Sequence, residues 1–208
     1  MFPGIFTGQS QATGEGPQVE GESHDRTNVS LPMIQDTLYD AVMAANAAKP
    51  TAMFLVNGGM LAVAKQKAGP AAILETFYGG FWMGTAIAEV LFGDYNPGGK
   101  MPFTTYPADY VKSVKMSDMS MLPSATSPGR SYRYYKGPVL WPFGFGLSYT
   151  TFTVTPKRGF GTKQQLSSTG ERGNTPAPYT VTVKNTGSVA GDEVHKDPCC
   201  PFTHEFLQ

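Results

Sequence analysis

Ala52-Met-Phe-Leu-Val56 is an unbroken apolar run closed by Asn57-Gly58-Gly59. A run this short, stopped by turn formers, predicts a strand buried on both faces, as in a parallel sheet. A second such run, Ala71-Ala-Ile-Leu74, extends to Tyr78 and stops at Gly79-Gly80. Between them, Met60 to Lys67 has room for a short helix. Upstream, Ile34, Leu38, Ala41, Val42 and Ala45 fall on one helical face, with Pro32 suited to a first turn and Pro50 ending the helix near Lys49. Downstream, Met83, Ile87, Val90 and Leu91 give Trp82 to Phe92 a helical stripe, and Gly93 stands at a C-cap position. Strand, helix, strand and helix in this order predict parallel α/β layering.

Away from this core the patterning weakens. Residues 1 to 19 are rich in Gly, Gln, Thr and Pro without a period and read as a disordered leader. From Asp94 to Tyr149 the chain is dense in Gly, Pro and aromatics, which predicts long ordered loops wrapped on the core. Residues 150 to 155 and Tyr179-Thr-Val-Thr-Val-Lys184 alternate as strands do, separated by a polar stretch from Lys157 to Pro178. They predict the start of a small β-sandwich. No internal repeat is present.

The 208 residues suffice for one substantial core, or for one domain and a smaller one. Sixteen basic and sixteen acidic side chains cancel, which argues against nucleic acid or an anionic membrane as partner and favours a neutral ligand. Cys199 and Cys200 are adjacent, so they cannot form a disulfide framework. The start Met1-Phe-Pro-Gly-Ile-Phe-Thr-Gly8 lacks the basic and apolar regions of a signal peptide, and no stretch approaches the roughly 18 to 20 apolar residues that span a bilayer. Asn28-Val-Ser30 has the form of a glycosylation sequon, a triplet that also arises often by chance.

Three groups of residues bear on chemistry. Val19-Glu-Gly-Glu-Ser-His-Asp-Arg26 packs acidic residues, an imidazole and an Asp-Arg pair into one polar loop before a helix. Glycosidic cleavage needs a carboxylic acid to protonate the leaving oxygen and a second carboxylate across the sugar ring. On composition alone a solvated acidic loop outweighs that role, because Glu is overwhelmingly a surface residue. Gly79-Gly-Phe-Trp-Met-Gly84 joins a strand to a helix, but its spacing is not that of a dinucleotide fingerprint, so close packing of helix on strand is the better reading. The aromatics Tyr106, Tyr132, Tyr134, Tyr135, Trp141, Phe143, Phe145 and Tyr149 offer faces for sugars, with Arg130 or Arg133 near them in sequence. Packing explains them at least as well. The histidines His195 and His204 stand far along the chain from His24, and no metal site is expected.

Leu91-Phe-Gly-Asp-Tyr-Asn-Pro-Gly-Gly-Lys-Met-Pro-Phe-Thr-Thr-Tyr-Pro107, Pro128-Gly-Arg-Ser-Tyr-Arg-Tyr-Tyr135 and Trp141-Pro-Phe-Gly-Phe-Gly-Leu-Ser-Tyr-Thr-Thr-Phe152 together resemble the C-terminal part of family 3 glycoside hydrolases, closest to the β-xylosidase branch. The resemblance runs from about residue 20 to 194, and Val181 to Val194 continues it into a fibronectin type III-like domain. It implies a layered α/β sandwich core, partial, over 20–150, then an incomplete fibronectin type III-like β-sandwich over 151–208, with an aberrant tail from 195. A complete sandwich takes about seven strands, and both ends of the chain look cut.

The family often carries its acid/base as the Glu of Glu-x-x-Asp-Arg, which falls on Glu22 here, with Glu20 as second candidate. The resemblance gives His24 and Arg26 a substrate-binding role, and Asp25, Arg130 and Tyr132 a supporting one. It places the nucleophilic Asp on an N-terminal barrel upstream, and implies retaining hydrolysis of terminal sugars in xylan-derived saccharides, of the β-xylosidase or α-L-arabinofuranosidase type. It also implies secretion, a neutral saccharide as substrate and no cofactor. The chain alone is then expected to be inactive. A non-catalytic carbohydrate-binding or accessory fragment is the alternative, and a remnant without an independent role is a third. Where the family usually has Gly-Tyr-Pro-Gly, this chain has Phe77-Tyr78-Gly79-Gly80.

Overall fold

The computed structural model describes residues 4–8, 26–32, 34–46, 49–156, 181–194 and 206–207. The chain divides into two compact units. One comprises Met1–Asp94 with Lys100–Gly146, and the other Tyr95–Gly99 with Leu147–Gln208.

The first unit is built on a parallel sheet of three strands, β1 (Gly4–Gly8), β2 (Ala52–Val56) and β3 (Ala72–Glu75), in that spatial order. Between β1 and β2 in sequence comes α1 (Gln35–Ala45), and between β2 and β3 the short α2 (Ala64–Ala68). The last helix packed on the sheet, α3 (Met83–Phe92), follows β3. Side chains alternate across a strand, so β2 feeds two cores. Met53 and Leu55 join Tyr39, Leu61 and Val63, with Val42, Met43 and Ile73 packed around them. Ala52 and Phe54 join Ile87, with Leu74, Met83 and Leu91 around them. Thus α1 covers one face of β2 and α3 the other, the doubly covered arrangement that an all-apolar strand requires.

Phe54 is among the largest fully buried side chains of the described residues. Phe54→Ala should lower stability by about 3–5 kcal/mol through lost burial and the cavity left behind. Urea unfolding midpoints would measure this, and a loss below about 1 kcal/mol would mean that β2 is not the centre of the core.

Three expectations need correction. Residues 1 to 19 were expected to lack fold, yet Gly4–Gly8 is a strand paired in register with β2, Gly4 opposite Ala52 and Gly8 opposite Val56. A buried central strand needs a partner for its backbone groups on each side, and Ile5-Phe6-Thr7 between glycines is too short to show a period. The remainder of that leader lies outside the described residues. The buried face of α1 is carried by Tyr39, Val42 and Met43, so of the expected stripe only Val42 packs on this core. Ile34, just before the helix, is 71% exposed and Leu38 44% exposed. The helix also ends at Ala45, where Asn46 donates to the carbonyl of Lys49 and to Thr51 Oγ1 at 2.7 Å, turning the chain into β2. For α3 the stripe is as expected, and Gly93 closes it in the left-handed region at φ 83°. That conformation suits glycine because a Cβ would crowd the backbone.

α2 is tied to α1 by Lys65, whose Nζ lies 3.0 Å from Asp36 and 2.8 Å from Asp40, and by Gln66, which donates to Asp36. The loops after α3 are ordered by backbone pairing. The Met101 N–H donates to the Phe145 carbonyl at 2.7 Å and that of Gly144 to Met101 at 2.8 Å, while Thr105 exchanges bonds with Trp141 and Leu140. A single helical turn, α4 (Ser131–Tyr134), lies within these loops.

In the second unit β4 (Phe152–Pro156) pairs antiparallel with β5 (Val181–Asn185), placing Val154 opposite Val183, and β6 (Glu193–Val194) pairs with β7 (Phe206–Leu207). Asn96 is buried and bonded on both sides. Its Oδ1 accepts from Ser148 Oγ at 2.9 Å and the Tyr149 N–H at 2.7 Å, and its Nδ2 donates to the Ala190 carbonyl. This places the Asn-Pro-Gly run of the sequence as a buried polar tie, of the kind that fixes loops because an unpaired partner would be costly.

Candidate active site

Ligands of open parallel sheets bind outside the carboxyl ends of the strands. Here those ends are the turns Asn57-Gly58-Gly59 after β2 and Thr76-Phe77-Tyr78 after β3. One carboxylate joins them. Glu75 Oε1 accepts from the Phe77 N–H at 3.2 Å, and its Oε2 lies 3.4 Å from Asn57 Nδ2. Asn57 is fully buried, donates to the Gly59 carbonyl at 2.7 Å, and has its Oδ1 buried without a partner among the described residues. Burial pushes the Glu75 carboxyl up to about 7, against the opposing pull of the Phe77 N–H and the Asn57 amide.

Phe77 holds the strained place in this turn. It has φ 49°, in the region that bulky residues avoid. Three contacts fix it there: the Glu75 carboxylate on its N–H, the Thr76 hydroxyl donating to the Leu55 carbonyl at 2.8 Å, and the edge of Phe103 at 5.8 Å between ring centres. Just beyond, Phe81 and Trp82 meet edge to face at 5.1 Å and are 91% and 70% exposed.

Because Glu75 binds its proton more tightly folded than unfolded, its contribution to native stability is greatest below the ordinary carboxylate range. It should fall as pH rises through about 4.5 to about 7, then level off. Glu75→Gln removes that slope, so it should stabilise the chain at pH 8 relative to pH 5 by up to about 3 kcal/mol. Denaturation of both proteins at the two pH values reads this directly, and parallel pH profiles would count against a buried, protonated Glu75.

Of the residues singled out from sequence, Glu20, Glu22, His24 and Asp25 lie outside the described residues. Arg26 is described. Its Nη2 donates to the Met60 carbonyl at 3.0 Å and its Nη1 to the Asn28 carbonyl at 3.4 Å, so the guanidinium fastens the loop to the turn that follows β2. Met60 also receives the Tyr106 N–H on its sulfur at 3.1 Å, and Tyr106 Oη accepts from the Ser131 N–H at 2.6 Å. One chain of contacts thereby links the Arg26 loop, the β2 turn and the start of α4.

Arg130 donates through Nη2 to the Asp118 carbonyl at 2.6 Å, and its backbone N–H to Met121, ordering the loop before it. Tyr132 stacks on Phe143 at 4.5 Å and its hydroxyl accepts from Arg133 Nε. Tyr106 and Tyr110 stack at 3.9 Å with Tyr135 edge-on to both, and Trp141 packs on the Tyr39 core, with Lys67 over its face. These aromatics spend their faces on one another and on the core. Among the described residues no three His, Cys, Asp or Glu side chains come together to hold a metal, and no helix is long and apolar enough to cross a membrane.

Glu75 and its buried Asn57 partner were not singled out by the sequence. The available signal was a carboxylate interrupting the apolar run from Ala71 to Tyr78, immediately before the turn that follows β3.

A short parallel sheet covered on both faces, with a polar turn cluster at its carboxyl end, defines a layered α/β domain. The chain belongs to glycosyl hydrolase family 3, whose C-terminal domain matches residues 5–149. It is 49% identical over 142 residues to Beta-D-xylosidase 1 of Arabidopsis thaliana, covering 67% of this chain and 18% of that protein. It is 38% identical over 184 residues to Exo-1,4-beta-xylosidase bxlB of Emericella nidulans, covering 85% and 24%. The fold matches a family 3 exo-β-xylosidase bound to a xylobiose aziridine activity-based probe, with TM-score 0.70, 28% identity, and 84% and 24% of the two chains covered. It also matches a β-glucosidase of Kluyveromyces marxianus in complex with glucose, with TM-score 0.67, 27% identity, and 92% and 21% covered. The chain thus spans about a fifth to a quarter of the length of the relatives it matches.

Proposed function

We propose that this chain is the C-terminal α/β portion of a retaining exo-β-glycosidase that removes terminal sugars from xylan-derived saccharides, of the β-xylosidase or α-L-arabinofuranosidase type. The observation that carries the reading is the 49% identity to a plant β-D-xylosidase over 142 residues, 67% of this chain. In this reading a barrel Asp, supplied by the N-terminal domain, attacks the anomeric carbon. Glu22 protonates the leaving oxygen and then, as base, activates the water that releases the sugar.

The contacts of Arg26 support a positioning role. A guanidinium fixed on the Met60 carbonyl holds the end of the Glu22 loop at the carboxyl end of β2, and effective catalysis depends on such placement. The exposed Phe81–Trp82 pair offers faces for the C–H surface of a sugar. The β4–β5 pair supports reading the second unit as part of a fibronectin type III-like sandwich. We place the protein in the secretory pathway or outside the cell, with a neutral saccharide as substrate.

The test is a chimera in which this chain replaces the matching stretch of the Arabidopsis relative. It should hydrolyse nitrophenyl β-xyloside in preference to the β-glucoside and release sugar with retained anomeric configuration by NMR. A folded chimera that binds xylo-oligosaccharides without cleaving them would overturn the reading in favour of an accessory, non-catalytic role.

A further inference from the structure

The loop that Arg26 anchors carries one feature that hydrolysis does not use. Asn28-Val29-Ser30 presents an asparagine, a residue other than proline, and a hydroxyl two positions on. Asn28 is exposed, and its Oδ1 accepts from the Ser30 N–H at 2.8 Å. This is an Asx turn, in which the side chain closes on the backbone two residues ahead. It engages the carboxamide oxygen and leaves Nδ2 without a partner among the described residues. The middle residue faces inward instead. Val29 is half-buried and its carbonyl accepts from the Ala62 N–H at 2.7 Å, while Arg26 holds the Met60 carbonyl two residues before. The loop is therefore clamped to the turn after β2 on the sides of Arg26 and Val29, with Asn28 turned to solvent between them. A bulky substituent on Nδ2 would break no contact of the described structure.

We propose that Asn28 is an N-glycosylation site. The donor class is a lipid-pyrophosphate-linked oligosaccharide. Nδ2 attacks the anomeric carbon, the bond from that carbon to the pyrophosphate oxygen breaks, and the lipid pyrophosphate leaves with the electron pair while the amide nitrogen gives up one proton to base. No oxidant or metal redox step is needed. The inference rests on the secretory location proposed above, because the donor and its transferase work in that compartment.

The experiment expresses the full chain behind a cleavable secretion leader in a eukaryotic cell, with a reference sequon of known occupancy in an appended tag. Only molecules bearing the reference glycan are scored, so entry into the lumen is assured. The peptide containing Asn28 should carry a glycan, removed by a glycosylamidase with conversion of Asn28 to Asp. Asn28→Gln and Ser30→Ala should each abolish it, and Ser30→Thr should retain it. An unmodified Asn28 peptide in those molecules, or a glycan that survives Asn28→Gln, overturns the proposal. The location of the parent protein, read separately by cell fractionation, tests the location and leaves this result standing.

Discussion

Purified alone, the 208-residue chain should release nitrophenol from nitrophenyl β-xyloside at the background rate, on the order of 10⁴-fold or more below the chimera with the plant barrel. Retaining cleavage forms a glycosyl-enzyme intermediate, and a general acid cannot replace the carboxylate that forms it. The carboxylates at the carboxyl end of this sheet do not meet that need. Glu75 is held by the Phe77 N–H and the Asn57 amide, and burial keeps about half of it protonated near neutral pH, so it is poorly placed to act as a nucleophile. Turnover by the isolated chain that vanishes with Glu22→Gln would sink this expectation. It would demand a local nucleophile, with Asp25 as the first suspect.

In the chimera, Glu22→Ala should slow cleavage of alkyl and other poor leaving groups by about 10²–10⁴-fold, and of activated aryl leaving groups much less. The difference arises because only a poor leaving group needs its oxygen protonated in the transition state. Azide should partly restore the rate with activated substrates, since a small anion attacks the glycosyl-enzyme without help from a general base. Glu20→Ala should show neither pattern. If Glu20→Ala instead gave the leaving-group dependence and Glu22→Ala did not, the acid/base would sit two residues earlier than Glu-x-x-Asp-Arg places it.

Much of the fold was legible because it depends on local pattern. The run Ala52 to Val56, short and stopped by turn formers, reads as a strand covered on both faces, and the stripe Met83, Ile87, Val90 and Leu91 ending at Gly93 needed only the helical period and one left-handed glycine. The family motifs were legible as well, and the structure gives some of them a job. Asn96 is the buried tie of the Asn-Pro-Gly run, and Arg130 orders the loop before it. The loop from Val19 to Arg26 was given a catalytic role only through the family resemblance, since its residue types alone favoured a solvated loop, and of that loop only Arg26 is described.

What the sequence by itself determined is therefore the alternation of buried strands and amphipathic helices, and the family to which its motifs belong, since both reside in residues close together along the chain. Tertiary structure alone decided which stripe of α1 is buried. Tyr39, Val42 and Met43 fit the surface offered by Met53, Leu55 and Ile73, while the equally apolar Leu38 is left partly exposed. It alone recruited Gly4–Gly8 as an edge strand, because β2 had backbone groups to satisfy on that side. And it alone made Glu75 a shifted acid. The shift comes from the depth of the carboxyl beside Asn57, 18 positions away in sequence, and burial at that distance is a property of the packed sheet that no local pattern encodes.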